Sequence, residues 1–141
     1  MNTASTEKNT QIELKIQKGI RQAEDTLVTQ IQDALDKKTE YGDLEESQFR
    51  NLVAVANSSD SAEVIKNFLR YQVGRDKKWG RGKASLAERI INDIDQTIKT
   101  EAKQIAEEAK AKDIKDIHLE LIRRYLGYGA RYLTYLRKGQ Q

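Results

Sequence analysis

The sequence has no cysteine and no proline, and its 141 residues include one histidine, one tryptophan and one methionine. Without cysteine the chain cannot form disulfides, supply a thiolate nucleophile or bind zinc through sulfur. His118 is the single histidine, so a histidine-based metal cluster or catalytic relay needs partners that the sequence does not indicate. We therefore expect no metal, no other cofactor and no enzymatic activity.

Long apolar runs are also missing. No stretch approaches the roughly 18 apolar residues of a transmembrane helix, and the first residues, MNTASTEKNTQ, lack the apolar segment of a signal peptide. We therefore expect a cytoplasmic protein that does not bind membranes. A Walker-type phosphate loop is excluded too, because around GRGKAS Lys77 stands in place of the first glycine and Ala84 in place of Ser or Thr.

The residues that are abundant favour helices. Apolar residues make up 38% of the chain and charged residues 33%, and Ala, Leu, Ile, Gln, Glu and Lys dominate. The length suits one ordinary domain. The prediction is an all-α, single-domain bundle of about five helices over residues 10–141, preceded by a flexible N-terminus at 1–9, which has no apolar periodicity.

Caps and glycines predict the helix boundaries. Four pairs have the spacing of a capping box and mark helix starts: Thr10 with Glu13, Asp43 with Glu46, Asp60 with Glu63, and Ser85 with Glu88. The predicted ends are near Lys38, Asn57, Gly74 and Ala109, and a last helix runs from about Ile114 to Lys138. The segment from Gly74 to Lys83 has no apolar period and is expected to be a loop.

Positive charge is concentrated in two places, although the net charge is only +3. Residues 70–83, RYQVGRDKKWGRGK, contain six basic and one acidic side chain, and residues 119–141 contain five basic and one acidic. The rest of the chain is therefore net negative, at −6. This distribution favours a localised site for a polyanion over general stickiness.

The first basic stretch has features of a nucleic-acid site. Its cations can contact phosphates, and Gly80 and Gly82 allow the backbone to move or to approach a ligand. Trp79 can stack on a base or pack against the bundle, and packing is favoured because tryptophan is usually buried. In the last helix Arg124 and Arg131 are seven residues apart, just beyond a row of tyrosines that borders the apolar face.

Three segments resemble one family: SQFRNLV at 47–53, FLRYQVGR at 68–75 and YGARYLTYLRKG at 128–139. Together they resemble the small helical subunit of type III CRISPR effector complexes, particularly the Csm-type subunit. The resemblance implies a non-catalytic subunit, present in several copies, that stabilises an RNA-guided ribonucleoprotein for antiviral defence. Its implied partners are the guide RNA, the target RNA, the guide-carrying backbone subunits, the large subunit and other copies of itself.

Nine basic residues are the candidate nucleic-acid contacts. Arg50 and Arg75 follow from the resemblance, and the other seven follow from charge: Arg70, Lys77, Lys78, Arg81, Lys83, Arg124 and Arg131. Two other functions stay open. One is a helical DNA-binding regulator that reads the major groove, and the other is an adaptor bundle whose basic loop meets an acidic protein.

Overall fold

A computed structural model describes residues 3–139, except for the side chain of Thr3. Within this range every regular element is helical and there is no strand. The α-helices are α1 (Thr3–Asp36), α2 (Glu46–Ser58), α3 (Ala62–Arg75), α4 (Leu86–Asp93), α5 (Lys99–Ala109) and α6 (Lys115–Thr134). A 3₁₀ turn (Lys38–Glu40) follows α1, and π-helical turns join α4 to α5 (Ile94–Ile98) and extend α6 (Tyr135–Gly139).

The π-helical turn makes α4 and α5 one continuous helix, so the bundle has five helical rods over the described residues. This confirms the predicted all-α bundle of about five helices. The fourth rod ends where predicted: Lys110 adopts a left-handed conformation with φ of 59°, and its backbone amide bonds to the carbonyls of the last turn.

Helix α6 lies at the centre of the bundle, packed against α1, α2 and α5. Its buried residues do not form one stripe, since Leu121 and Tyr125 are buried as well as Ile122 and Leu126. A helix with apolar residues around most of its circumference belongs in a core. Gly129 permits this packing, because a Cβ there would lie 2.6 Å from Cζ of Phe49 and 2.7 Å from Cγ1 of Ile31.

The helix starts show where local sequence was misleading. The first helix begins at Thr3, not Thr10, so the prediction of a start at Thr10 is wrong; Met1 and Asn2 of the predicted flexible segment lie outside the described residues. The hydroxyl of Thr10 instead donates to the carbonyl of Thr6 one turn earlier, at 3.0 Å. Nothing between Thr3 and Thr10 prevents the helix from continuing back along the chain.

Two further helices are capped by residues other than those predicted, and one predicted cap is confirmed. Helix α2 has its capping box between Glu45 and Gln48, not at Asp43, and α3 is capped by Ser61 instead of Asp60. Ser85 caps α4 as predicted, since its hydroxyl accepts a hydrogen bond from the backbone amide of Glu88 at 3.2 Å.

A polar network crosses the core between α1, α4 and α6. Asp93 is 5% exposed; its carboxylate accepts hydrogen bonds from Nε of Arg89 at 3.1 Å and from the hydroxyl of Tyr125 at 2.6 Å. Arg89 also donates to Oδ2 of Asp33 and to Oε1 of Gln30 on α1, each at 2.8 Å. The buried carboxylate is thus paired and hydrogen-bonded, as a buried charge must be.

Candidate nucleic-acid interface

The basic loop, residues 76–84, is an ordered turn that begins where α3 ends. The backbone amide of Asp76 donates to the carbonyl of Gln72, which closes the helix. The side chain of Asp76 then accepts a hydrogen bond from the amide of Lys78 at 2.8 Å, and the amide of Gly80 donates to the carbonyl of Lys77 at 3.0 Å. The one acidic residue of the stretch is therefore used to shape the loop.

Trp79 anchors this loop in the core. It is 0% exposed, and its ring stacks on Phe49 with centroids 5.8 Å apart and an interplanar angle of 29°. Its carbonyl accepts a hydrogen bond from the amide of Ala87 at 3.1 Å, while its Nε1 has no hydrogen-bond partner among residues 3–139. The packing interpretation of Trp79 is confirmed, and a ring buried in this way is not available to stack on a base.

The two loop glycines have positive φ and different surroundings. Gly80 has φ of 85°, and a Cβ there would collide with the carbonyl oxygen of Glu40 and lie 2.8 Å from Cβ of Ser85. Gly82 has φ of 79°, with nothing within 4 Å of a Cβ. Gly80 therefore needs to be glycine both for its positive φ and for its close approach to the chain after α1.

Five cations of residues 70–83 are exposed to solvent, two on the last turns of α3 and three in the basic loop. All five are exposed, and none has an ion-pair partner within residues 3–139: Arg70, Arg75, Lys77, Arg81 and Lys83. Arg70 and Lys83 line the same groove, between the last turns of α3 and the start of α4, and the carboxylate residue Glu88 lines it as well. The structure thus places Arg70, from the end of α3, and Lys83, from the loop, along one groove.

Two other candidates are engaged within the protein. The ammonium of Lys78 lies 2.9 Å from Oε1 of Glu45, and this hydrogen bond raises the pKa of Lys78. Arg124 is paired with Glu24 on α1 at 2.5 Å and with Glu120 one turn earlier at 2.9 Å. Both contribute less to an open positive surface than the five cations without an ion pair in residues 3–139, because carboxylates neutralise them.

Arg50 and Arg131 lie on other elements. Arg50 is exposed on α2, next to Phe49 in sequence. Its positive charge is one of the causes that lower the pKa of Glu46, one turn earlier. Arg131 is exposed on α6 and lines a groove that shares no residue with the groove at Arg70. The lining of this second groove is Asn57, Glu120, Arg123, Arg124, Gly127, Tyr128 and Arg131.

An exposed aromatic ring, that of Tyr71, lies next to Arg75 at the end of α3. Tyr71 is 59% exposed, and the guanidinium carbon of Arg75 is 5.6 Å from its ring centroid. A signal in the sequence points to this exposure, since Tyr71 follows the buried Leu69 by two positions, about 200° around the helix. Tyr71 is not among the nine candidate contacts, which are all basic.

His118 has a structural environment. Its Nε2 lies 2.7 Å from the carbonyl oxygen of Ile94 in the π-helical turn, and because a carbonyl only accepts, Nε2 carries the proton. Burial lowers the pKa of His118. Across residues 3–139, no group of three or more His, Cys, Asp or Glu side chains is arranged to hold a metal ion.

None of the helices within residues 3–139 combines the length and hydropathy needed to span a bilayer. Comparisons with protein-family models, with curated proteins and with solved structures find no match to this chain.

Proposed function

We propose that this protein is a non-catalytic RNA-binding subunit of the type III CRISPR effector class, which uses the basic end of α3 and the basic loop to hold guide or target RNA. The observation that carries the proposal is that five cations close together in the sequence are exposed and have no ion-pair partner within residues 3–139: Arg70, Arg75, Lys77, Arg81 and Lys83. Their positive charge is complementary to the negative phosphates of an RNA strand. The assignment to this class is based on the three segments that resemble the small-subunit family.

The rigidity of the loop supports a role in binding. The buried Trp79 and the contact of Gly80 with the chain after α1 fix the backbone that carries Lys77, Arg81 and Lys83. Cations on a fixed backbone lose less conformational entropy on binding than cations on a flexible tail. Sequence is read by base pairing in a guided complex, so such a subunit needs to contact only the backbone.

The arrangement of α2 and α3 is less suited to reading duplex DNA. These helices are joined by residues 59–61, a turn short enough for a helix-turn-helix motif. A recognition helix contacts bases with its first residues, and here these are Ala62, Glu63 and Val64. These residues include no cation, Glu63 is ion-paired with Lys66 at 2.8 Å, and the basic residues Arg70 and Arg75 lie at the opposite end of the helix.

The experiment is to measure RNA affinity against salt for the wild type and for a variant with Arg75, Lys77, Arg81 and Lys83 changed to Ala. For single-stranded RNA the slope of log K against log salt is about −0.7 per phosphate contact, so four lost contacts make it shallower by about 3 units. Fluorescence anisotropy of a labelled RNA of about 16 nucleotides gives the affinities.

A matched control removes four exposed lysines elsewhere, Lys15, Lys18, Lys103 and Lys112. This control changes the net charge by the same amount, so it is expected to keep most of the slope. An identical slope in the wild type and the loop variant contradicts the proposal. Purification with an acidic protein and without nucleic acid favours the adaptor function.

A further inference from the structure

Tyr71 is the exposed aromatic residue in the basic cluster of residues 70–83. It is 59% exposed, whereas Trp79 of the same stretch is fully buried. Single exposed aromatic residues are ordinary on protein surfaces, so exposure alone carries no argument. Arg70 precedes Tyr71, and the Arg75 guanidinium lies over one face of its ring, 5.6 Å from the centroid, so a base has to stack on the opposite face.

Gly74 adds a second observation. It lies in the last turn of α3, three residues after Tyr71 and so on the same face of the helix. A Cβ at Gly74 would meet nothing within 4 Å, and its φ is not positive. Neither packing nor backbone conformation therefore requires glycine here. Its effect is to leave the helix surface one turn after Tyr71 without a side chain.

We propose that Tyr71 is a stacking platform for an unpaired base of single-stranded RNA, with Arg75 and Arg70 contacting the adjacent phosphates. Bases stack on aromatic side chains through their π faces, and this contact tolerates any base. The inference rests on the proposed function. It adds that the bound RNA must have at least one unpaired base. A duplex keeps its bases inside the helix and offers no such face.

The test compares two labelled single-stranded probes of equal length, oligoadenylate and an abasic ribose-phosphate oligomer with the same charge. The wild type is expected to bind oligoadenylate more tightly than the abasic oligomer. Tyr71→Leu is expected to weaken oligoadenylate binding by about 5- to 30-fold, the lower part of the range for stacking, and to leave abasic binding unchanged. Tyr71→Phe keeps the π face and is expected to bind as the wild type.

Val64→Ala is the matched control, because Val64 is an exposed apolar residue two turns earlier on the same face of α3. Equal affinity of Tyr71→Leu and the wild type for oligoadenylate overturns the inference. If Tyr71→Leu binds oligoadenylate as the wild type does but the variant with four cations changed to Ala still loses affinity, the proposed function stands. Tighter binding of duplex RNA than of the single strand by the wild type also overturns the inference. A wild type that binds neither probe overturns both proposals.

Discussion

Two tyrosines make the same hydrogen bond in different surroundings. Tyr125 donates to Asp93 and Tyr132 donates to Asp36, each at 2.6 Å. Tyr125 is fully buried, and burial raises its pKa well above the usual value near 10. Tyr132 is half-buried on the outside of the bundle, and its hydrogen bond to Asp36 raises its pKa to about 12.

Removing the two hydroxyls is expected to have unequal effects. Tyr125→Phe takes a donor from a buried carboxylate and should lower the free energy of unfolding by about 1.5–3 kcal/mol. Tyr132→Phe is the matched control and should change it by less than about 0.5 kcal/mol, because water replaces the lost donor. Urea denaturation measures both. Equal losses of stability in the two variants contradict the claim that the buried hydrogen bond to Asp93 stabilises the fold more than the hydrogen bond to Asp36.

The same residues show how far sequence reasoning reaches. Helical spacing predicts that Tyr125 lies with the other tyrosines at the border of the apolar face. That prediction uses only the angular position of each side chain around α6, and not the contacts with other helices. The burial of Tyr125 depends on Asp93, 32 residues away in the chain, and on Arg89, which together supply polar partners inside the core. The burial of Trp79 was predictable from residue type, since its large apolar surface dominates.

At the scale of elements, periodicity and caps predicted the five rods but not all of their limits. Ser85 is identified as a cap because a loop precedes it and an apolar period follows. Thr10 has the same capping-box spacing, yet helix-compatible residues precede it and α1 starts at Thr3. The exposure of Arg70, Arg75, Lys77, Arg81 and Lys83 was predictable from residue type, because charged side chains are mostly exposed. The ion pairs of Lys78 and Arg124 were not, since Glu45 and Glu24 belong to other elements.

The basic loop depends on its first glycine more than on its second. Gly80→Ala places a methyl group against the carbonyl of Glu40 at positive φ and should destabilise the fold by about 2–4 kcal/mol. Gly82→Ala has the same backbone strain without the collision and should cost about 1 kcal/mol. Thermal unfolding of the two variants tests this ranking. A loop that only tethers α3 to α4 would tolerate both changes alike.

At the scale of the whole molecule, His118 links α6 to the π-helical turn between α4 and α5. Burial lowers its pKa; the hydrogen bond to Ile94 and the charge of Asp95 act in the opposite sense, and Lys99 and Lys66 add to the lowering. The unfolded chain therefore binds a proton at His118 more readily than the folded chain. Folding stability from this group is present above the unfolded pKa near 6.5 and is lost as pH falls below it.

We therefore expect the free energy of unfolding to fall between about pH 7.5 and about pH 5.5, a window above the titration of most carboxyl groups. His118→Gln keeps a side-chain donor toward Ile94 and cannot titrate, so its stability should change less over this window. Chemical denaturation at both pH values measures the difference. The same loss of stability in His118→Gln and in the wild type would assign the pH dependence to other groups.

The burial of Trp79 has a spectroscopic consequence. Because it is the one tryptophan in the sequence and stacks on Phe49 beneath the basic loop, its fluorescence reports on a single place in the molecule. A strand that binds across the exposed cations leaves the indole in its apolar surroundings and its emission unshifted. A ligand that pulls the loop away from the core brings water to the indole and moves the emission to longer wavelength. The protein thus carries its own optical probe for whether binding leaves the loop in place.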